Sequence, residues 1–456
     1  MKFEDLHNVY FIGIGGIGMS ALARWFKHMG KSVKGYDRTE TVLTSKLQEE
    51  DFLIHFEDQV GLIPEEVVAD KEHSLIVYTP AIPTTHKELH FFKEEGYTLL
   101  KRAEVLGAIT KDKIGLAVAG THGKTTTSTL LAHVLQQHPT GCNAFLGGIS
   151  TNYNSNLILN EKSPWVVIEA DEFDRSFHQL HPFASIVTST DADHLDIYKD
   201  HKSLHQAFEE YTHLIDPKGV LIHHHEVLLS AKCKKISYGV NTEKKHVDFK
   251  GTNIRVENGI FLMDVETPNS ILKEVALGCP GIHNAENALA VMILADFMGL
   301  DEMQIRKGLA TFKGVKRRFE YHVQQPDLVY IDDYAHHPTA IKSLIESVKL
   351  IHPDLKITGV FQPHLFSRTQ DFMDEFAKEL SALDEVILLP IYPAREMPIE
   401  GVNSEVLLNK INSSQKAVLS SSEVLTHILK LEKGVVLTIG AGDIDQLVTP
   451  IKEQLL

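Results

Sequence analysis

The chain has 456 residues, a formal net charge of −16 at pH 7, 43% apolar residues and 23% charged residues. This length exceeds one ordinary core and predicts several domains, while the acidic balance disfavours nucleic acid as a partner. No apolar run reaches the length of a membrane span, and no signal segment opens the sequence, so we expect a cytoplasmic protein without membrane insertion. The three scattered cysteines indicate neither a disulfide framework nor a zinc site.

The first forty residues have the layout of a dinucleotide-binding fingerprint. An apolar strand at Asn8–Ile12 precedes a glycine-rich turn, a helical pattern, a second strand from Lys31 to Gly35 and then Asp37. Such a turn lets the backbone approach a pyrophosphate at a helix N-terminus. These residues alone fit an NAD-dependent oxidoreductase as well as a UDP-sugar site, and a glycine turn of an α/β domain that binds no ligand is the alternative. The glycines concerned are Gly13, Gly15, Gly16 and Gly18.

A phosphate-binding loop is predicted after the buried strand Ile114–Ala119. Gly120 and Gly123 allow a tight turn whose N–H groups face an anion, and a helix from Thr125 to Gln136 points its positive end at the same place. In such loops the lysine contacts the β- and γ-phosphates and the next hydroxyl binds magnesium, which predicts these roles for Lys124 and Thr125. The loop is a shortened variant, because Val118 stands where the usual pattern has its first glycine. A turn that binds no ligand is the alternative.

Two strand ends in this region are acidic. The strand Trp165–Ile168 runs into Glu169, Asp171, Glu172 and Asp174, and the strand Ala184–Ser189 is followed by Asp191, Asp193, His194 and Asp196. Carboxylates crowded at one strand end repel one another, which favours a bound cation over a plain solvated turn. Beside the phosphate loop they predict a magnesium-nucleotide site for one or two ions.

Further polar residues lie at a helix start and at strand ends. His283, Asn284 and Asn287 open an alanine-rich helix, where capping and contact with a base or ribose are equally good explanations. From residue 329 onwards strands and helices alternate, which predicts another parallel α/β domain. Four of its loops should face one cleft, since ligands bind outside the carboxyl ends of parallel strands. These loops span residues 332–338, 362–369, 392–396 and 440–443.

Six motifs in this order resemble the Mur ligase family of peptidoglycan synthesis across the whole chain. They are the motifs at residues 120–126, 169–172, 193–196, 283–287, 333–338 and 362–364. The resemblance implies an α/β protein of three domains. Residues 1–106 would form a Rossmann-like UDP-sugar domain, residues 107–315 a P-loop ATPase-like domain with a mainly parallel sheet, and residues 316–456 a Rossmann-like domain for the amino acid.

The resemblance also implies an activity. ATP and Mg²⁺ would convert the lactyl carboxylate of UDP-N-acetylmuramate into an acyl phosphate, which the amine of L-alanine then attacks. The catalytic residues would be Lys124, Glu169, His194 and His336, with the metal held by Thr125, Glu169 and His194. ATP would contact Gly120, Thr121, His122, Gly123, Lys124, Thr125, Thr126, His283, Asn284, Asn287 and Arg318. The UDP-sugar would contact Gly13, Gly15, Gly16, Gly18 and Asp37, and the amino acid would contact Tyr334, His336, His364 and Arg368.

Two departures and three alternatives accompany this interpretation. Leu365 stands where relatives often have a basic residue, and the segment Leu204–Tyr211 lacks the lysine that several sister ligases modify. A ligase that recycles a murein tripeptide onto the same UDP-sugar would share the fold. An NAD-dependent oxidoreductase would use the first glycine turn but leave the Gly-Lys-Thr loop without a purpose. A nucleotide-switched binding protein would bind ATP without amino-acid-dependent ADP release.

Overall fold

The computed structural model describes residues 2–191, 198, 200–244, 246–257, 259–394 and 396–456. Contacts divide the chain into two units. The first unit contains residues 1–251, 265–271 and 287–311, and the second contains residues 252–264, 272–286 and 312–456. Among the described residues, none of the helices combines the length and the apolarity that a bilayer crossing requires. The three predicted domain ranges stay a prediction.

The first sheet is parallel and has the strand order β3-β2-β1-β4-β5. Every residue of its central strand β1 is buried, because helices cover both faces of such a sheet. The strands are β1 (Asn8–Ile12), β2 (Ser32–Tyr36), β3 (Leu53–His55), β4 (Ser74–Tyr78) and β5 (Thr98–Lys101). The helices are α1 (Ile17–His28), α2 (Val42–Glu49), α3 (Glu65–Ala69), α4 (Lys87–Glu94) and α5 (Arg102–Asp112).

The second sheet has ten strands in the order β15-β14-β13-β12-β11-β10-β6-β9-β7-β8. Its centre is parallel, and β7 pairs with β8 as an antiparallel hairpin. The strands are β6 (Ile114–Ala119), β7 (Asn143–Ser150), β8 (Ser155–Ile158), β9 (Trp165–Glu169), β10 (Pro182–Val187), β11 (Val220–His224), β12 (Lys234–Val240), β13 (Phe249–Glu257), β14 (Ile260–Glu266) and β15 (Ile271–Leu277). The helices are α6 (Lys124–Leu135), α7 (His201–Thr212), α8 (Ile282–Phe297) and α9 (Glu302–Thr311).

The third sheet has the order β16-β17-β21-β18-β19-β20 and is parallel except for the edge strand β16. Its strands are β16 (Glu320–Gln324), β17 (Leu328–Asp333), β18 (Ile357–Phe361), β19 (Glu385–Leu388), β20 (Gln415–Val418) and β21 (Gly434–Ile439). The helices are α10 (Pro338–Ile351), α11 (Phe366–Asp371), α12 (Met373–Leu380), α13 (Ser404–Lys410), α14 (Ser421–Ile428) and α15 (Val448–Leu455). Separate apolar clusters cover its two faces.

Local chemistry explains where helix α10 starts. Helix α10 begins with Pro338, which needs no N–H partner at that position, and the His337 side chain accepts the N–H of Thr339. The predicted strands at Asn8–Ile12 and Ile114–Ala119 have the bounds that the sequence indicated. The β7–β8 hairpin and the antiparallel edge strand β16 were not predicted.

Candidate active site

The predicted phosphate loop joins β6 to α6 and depends on its two glycines. Gly120 has φ 132° and Gly123 has φ 77°, backbone conformations that favour glycine. A Cβ atom on Gly120 would collide with Thr188, and one on Gly123 would lie 3.0 Å from Asn287 Oδ1. There is therefore no room for a side chain at Gly120. Asn287, which is predicted to contact the adenosine, lies beside the loop.

Ser189, two residues after β10, fixes the shape of this loop. The Thr121 and Ser189 hydroxyls lie 2.9 Å apart, the Thr121 N–H donates to the Ser189 carbonyl at 3.2 Å, and the His122 N–H donates to the Ser189 hydroxyl at 3.0 Å. Thr125 and Thr126 are both buried in the first turn of α6. The loop is thus held in a defined conformation by Ser189, two residues after β10.

Lys124 is anchored inside the loop. Its Nζ donates to the Gly120 carbonyl at 2.7 Å and to Glu172 Oε1 at 2.8 Å. Burial by itself lowers the pKa of Lys124, but the carboxylates of Glu172, Asp171 and Glu169 outweigh burial and raise this pKa above its ordinary value. The ammonium group is therefore charged and placed beside the loop.

Two further acidic residues after β9, Asp171 and Asp174, each pair with a basic residue of their own. Arg102 Nη2 donates to Asp171 Oδ2 at 3.2 Å, and Lys101 Nζ donates to Asp174 Oδ2 at 2.9 Å. Much of the negative charge that the sequence assigned to a cation is thus balanced by basic residues of the chain. Arg102 was not among the residues predicted from the sequence, where its only signal was its place in a basic pair with Lys101, the last residue of β5.

Glu169 is the acid that best fits a metal ion. The Thr125 hydroxyl donates to Glu169 Oε1 at 3.2 Å. Within the part of the chain that the structure describes, Glu169 Oε2 is buried without a hydrogen-bond partner. A hydroxyl and an unsatisfied carboxylate oxygen are the ligand types that Mg²⁺ prefers. The third predicted metal ligand, His194, lies outside the described residues.

Gly147 on β7 makes room for this carboxylate. A Cβ atom at Gly147 would collide with Glu169 Oε2 and crowd the Glu169 carboxyl carbon. The missing side chain at Gly147 therefore allows the Glu169 carboxylate to lie against the backbone of β7. This glycine was not identified from the sequence.

The first glycine turn follows β1 at the carboxyl edge of the first sheet. Gly13 has φ 89°, and the N–H of Gly15 donates to Asp37 Oδ2 at 2.7 Å. A Cβ atom on Gly15 would collide with the Asp37 carboxylate. Gly16 precedes α1 and provides no side-chain cap, and Gly18 lies in the first turn of that helix. The structure therefore brings all five predicted UDP-sugar residues together, with Asp37 holding the turn.

The four predicted amino-acid residues form a cluster in the second unit. His336 Nδ1 lies 2.8 Å from the Tyr334 carbonyl, and the rings of His336 and His364 are 6.4 Å apart. Burial, and then the nearby Arg368 guanidinium, lowers the pKa of His336 to about 3 and that of His364 to about 4. Both imidazoles are therefore neutral at neutral pH. Leu365 has φ 70° just before α11, the helix that carries Arg368.

The remaining predicted ATP residues lie at the start of α8 and before β16. Burial lowers the pKa of His283 to about 4, with Arg318 contributing in the same direction. Asn284 Nδ2 donates to the Pro280 carbonyl at 2.6 Å. Arg318 lies with its guanidinium carbon 5.5 Å from the centre of the Tyr334 ring. Arg318 is therefore close to the cluster proposed for the amino acid.

Three family models match the chain in succession. The Mur ligase family catalytic domain matches residues 8–114, the Mur ligase middle domain residues 118–295, and the Mur ligase glutamate ligase domain residues 317–442. A protein of Flavobacterium psychrophilum named UDP-N-acetylmuramate--L-alanine ligase is 50% identical over 455 residues, which cover 100% of this chain and 99% of the relative. The chain belongs to the Mur ligase family.

Solved Mur ligase structures have the same fold. The UDP-N-acetylmuramate-alanine ligase of Thermotoga maritima matches with a TM-score of 0.84 and 27% identity, covering 98% of both chains. A murein peptide ligase of Psychrobacter arcticus matches with a TM-score of 0.70 and 21% identity, again covering 98% of both chains, and shows the fold alone. The three-domain, mainly parallel α/β fold expected for a Mur ligase is confirmed.

Proposed function

We propose that this protein is an ATP-dependent ligase that joins L-alanine to the lactyl carboxylate of UDP-N-acetylmuramate, a step of peptidoglycan precursor synthesis. The observation that carries the proposal is the 50% identity, over the whole chain, to a ligase named for these two substrates. The phosphate loop with its charged Lys124 supports the use of ATP. The cytoplasmic location stays a prediction.

The reaction has two covalent steps. A lactyl carboxylate oxygen attacks the γ-phosphorus of ATP, the bond from that phosphorus to the β,γ-bridging oxygen breaks, and ADP leaves. The amine of L-alanine then attacks the acyl carbon, loses a proton, and expels inorganic phosphate as the amide forms. A carboxylate by itself has only oxide as a leaving group, so the first step supplies a good one.

The residues of the phosphate loop suit the first step. Lys124 would place its ammonium charge against the phosphoryl group that is transferred, where negative charge builds up. Thr125 and Glu169 would hold Mg²⁺, with His194 as a further predicted ligand. When bound, this ion would neutralise charge on the phosphate oxygens and orient them. Asn287 lies beside Gly123 and is proposed, with His283 and Asn284, to contact the adenosine.

The cluster in the second unit suits the amino acid. Arg368 would pair with the carboxylate of L-alanine, because a guanidinium matches the fork of a carboxylate. Neutral imidazoles at His336 and His364 add no positive charge to that of Arg368. His336 and Tyr334 would orient the amine, and Arg318 would contact the ATP phosphates.

The test measures phosphate release from ATP in the presence of UDP-N-acetylmuramate, with L-alanine, with the murein tripeptide, or with no added amine. We expect release that requires L-alanine, together with a mass gain of one alanine residue on the UDP-sugar. Release only with the tripeptide would assign the protein to recycling. No release with either amine would contradict the ligase function.

A further inference from the structure

Arg102 lies against the glycine turn that the proposed function assigns to the UDP-sugar. It is the first residue of α5, directly after β5. A Cβ atom on Gly18 would collide with Arg102 Nη1 and would lie 3.1 Å from Arg102 Cδ and 3.3 Å from Arg102 Cζ. The guanidinium group therefore passes directly over Gly18 in the first turn of α1.

Within the described part of the chain, most N–H donors of the Arg102 side chain have no hydrogen-bond partner. Among the described residues, its side chain makes one hydrogen bond, from Nη2 to Asp171 Oδ2 at 3.2 Å, and its side chain is 26% exposed. A guanidinium carries five N–H donors in a fixed plane, so the edge directed away from Asp171 can serve another anion. Arginine binds phosphate oxygens through two parallel hydrogen bonds when its plane is held in place.

Asp171 is itself held in place. Its Oδ1 accepts the N–H of Phe173 at 3.1 Å, and its carbonyl accepts the N–H of Phe177 at 2.9 Å. Helix α5 also packs closely on the segment Phe173–Gln179, which follows Asp171, since a Cβ atom on Gly107 would collide with the Gln179 carbonyl. Asp171 can therefore fix the plane of the guanidinium before any ligand arrives.

We propose that Arg102 binds the pyrophosphate of the UDP-sugar beside Gly18, and that Asp171 positions Arg102 for this contact. The inference rests on the proposed function, which places a pyrophosphate at the glycine turn. It adds a positively charged side chain to a site whose other predicted residues are four glycines and the acidic Asp37. It also gives Asp171 a positioning role in UDP-sugar binding that is separate from ATP.

The first experiment measures, without ATP, the dissociation constants of UDP-N-acetylmuramate and of UDP by calorimetry. A hydrogen-bonded charge pair of this kind is worth about a 10- to 100-fold change in affinity, so Arg102→Met should weaken both ligands by that factor. The affinities of Arg102→Lys should lie between those of the wild type and Arg102→Met, because lysine keeps the positive charge but cannot form two parallel hydrogen bonds. In turnover assays Arg102→Met should raise the KM for the UDP-sugar and leave kcat within about threefold.

Lys27→Gln is the matched control, because it removes one positive charge from the exposed far end of α1. It should change neither affinity by more than about twofold, since screening is strong at that distance. Asp171→Ala should weaken both ligands in the wild-type background and have no further effect in Arg102→Met, because Asp171 acts through Arg102. Thermal unfolding of each variant checks that it is folded.

Three results would overturn the inference. Arg102→Met could bind both ligands as wild type does, or it could lose affinity for UDP-N-acetylmuramate and keep that for UDP, which would place Arg102 at the sugar end. Equal effects of Asp171→Ala in the two backgrounds would remove its positioning role. A wild-type protein that binds neither ligand would instead contradict the proposed function.

Discussion

The Thr125 hydroxyl donates to Glu169 Oε1 at 3.2 Å, which joins the first turn of α6 to the carboxyl end of β9. The second oxygen of this carboxylate is buried and, among the described residues, has no hydrogen-bond partner. A buried carboxylate oxygen without a partner costs free energy that a bound cation recovers. The two residues therefore define the point at which we expect Mg²⁺ to contact the chain.

Replacing Glu169 by Gln should weaken the use of Mg²⁺. The amide keeps the shape of the side chain but removes the negative charge, so we expect the Mg²⁺ concentration for half-maximal turnover to rise and kcat to fall by about a hundredfold or more. The measurement is phosphate release across a Mg²⁺ titration. Asp174→Asn is the control and should leave the Mg²⁺ titration unchanged, because Asp174 pairs with Lys101. An unchanged titration for Glu169→Gln would show that Glu169 does not belong to the metal site.

Lys124→Ala should abolish turnover and leave UDP-sugar binding intact. Lys124 is charged and lies in the phosphate loop, whereas the predicted UDP-sugar residues surround a different glycine turn. We expect phosphate release to fall by at least about a hundredfold, with an unchanged dissociation constant for UDP-N-acetylmuramate. Lys111→Ala, which removes an exposed lysine at the end of α5, is the control. Wild-type turnover in Lys124→Ala would disprove the phosphate-loop assignment.

Arg368→Ala should act on the amino acid. If Arg368 pairs with the carboxylate of L-alanine, its loss should raise the KM for L-alanine by about 10- to 100-fold and leave the KM for ATP unchanged. Arg368→Lys should recover only part of the affinity, because a lysine cannot form two parallel hydrogen bonds. Steady-state kinetics with each substrate varied in turn will distinguish this from a general loss of activity. A raised KM for ATP alone would assign Arg368 to the nucleotide.

Asp332 should contribute to stability through Arg317. Asp332 is fully buried, accepts the Thr438 hydroxyl at 2.7 Å and lies 3.2 Å from Arg317 Nε. Asp332→Ala removes a buried carboxylate whose partner Arg317 is 22% exposed, so it should lower the free energy of unfolding by about 2 kcal/mol. Asp445 lies 3.6 Å from the same guanidinium but is half exposed, so Asp445→Ala should cost less than about 1 kcal/mol. Urea unfolding of both variants measures the difference, and equal losses would contradict this account.

The sequence predicted the parallel strands and glycine turns because each has a strong local signal. β1 and β6 are short apolar runs that are each followed directly by a glycine, and both have the bounds that were indicated. Strand β7 was not predicted, and it contains Gly147 and Gly148 in its interior. This segment is a strand because it pairs with β8 and β9. Residue 147 is a glycine because the carboxylate of Glu169, distant in sequence, occupies the space of a side chain there.

The electrostatic partners of the site could not be predicted in the same way. The acids at 169–174 were expected to need a cation, but Lys124, Arg102 and Lys101 neutralise three of them. Arg102 and Asp171 are 69 residues apart in sequence, and no periodicity or motif connects them. Such pairings follow from the packing of α5 on the acidic segment, which only the fold defines.

A buried glutamate in the first unit should make stability depend on pH. Glu88 on α4 is fully buried, and the Tyr10 hydroxyl donates to its Oε2 at 2.7 Å. Burial, as the largest cause, raises the pKa of Glu88 from 4.5 to about 7, and Asp58 acts in the same direction, while the Tyr10 hydroxyl and the Gln59 N–H oppose the shift. His55 Nε2 lies 3.5 Å from Glu88 Oε1, and burial lowers the pKa of this histidine.

The direction of the effect follows from proton binding. Between pH 4.5 and 7 the folded protein holds a proton on Glu88 that the unfolded chain has released, so the contribution of Glu88 to stability falls as pH rises through this window and is constant above it. Glu88→Gln keeps a hydrogen-bond partner for Tyr10 and removes this titration. Urea unfolding from pH 5 to pH 8 should therefore show the variant gaining stability relative to wild type up to about pH 7 and no further. A difference that stays constant across the series would mean that Glu88 titrates alike in the folded and unfolded chain.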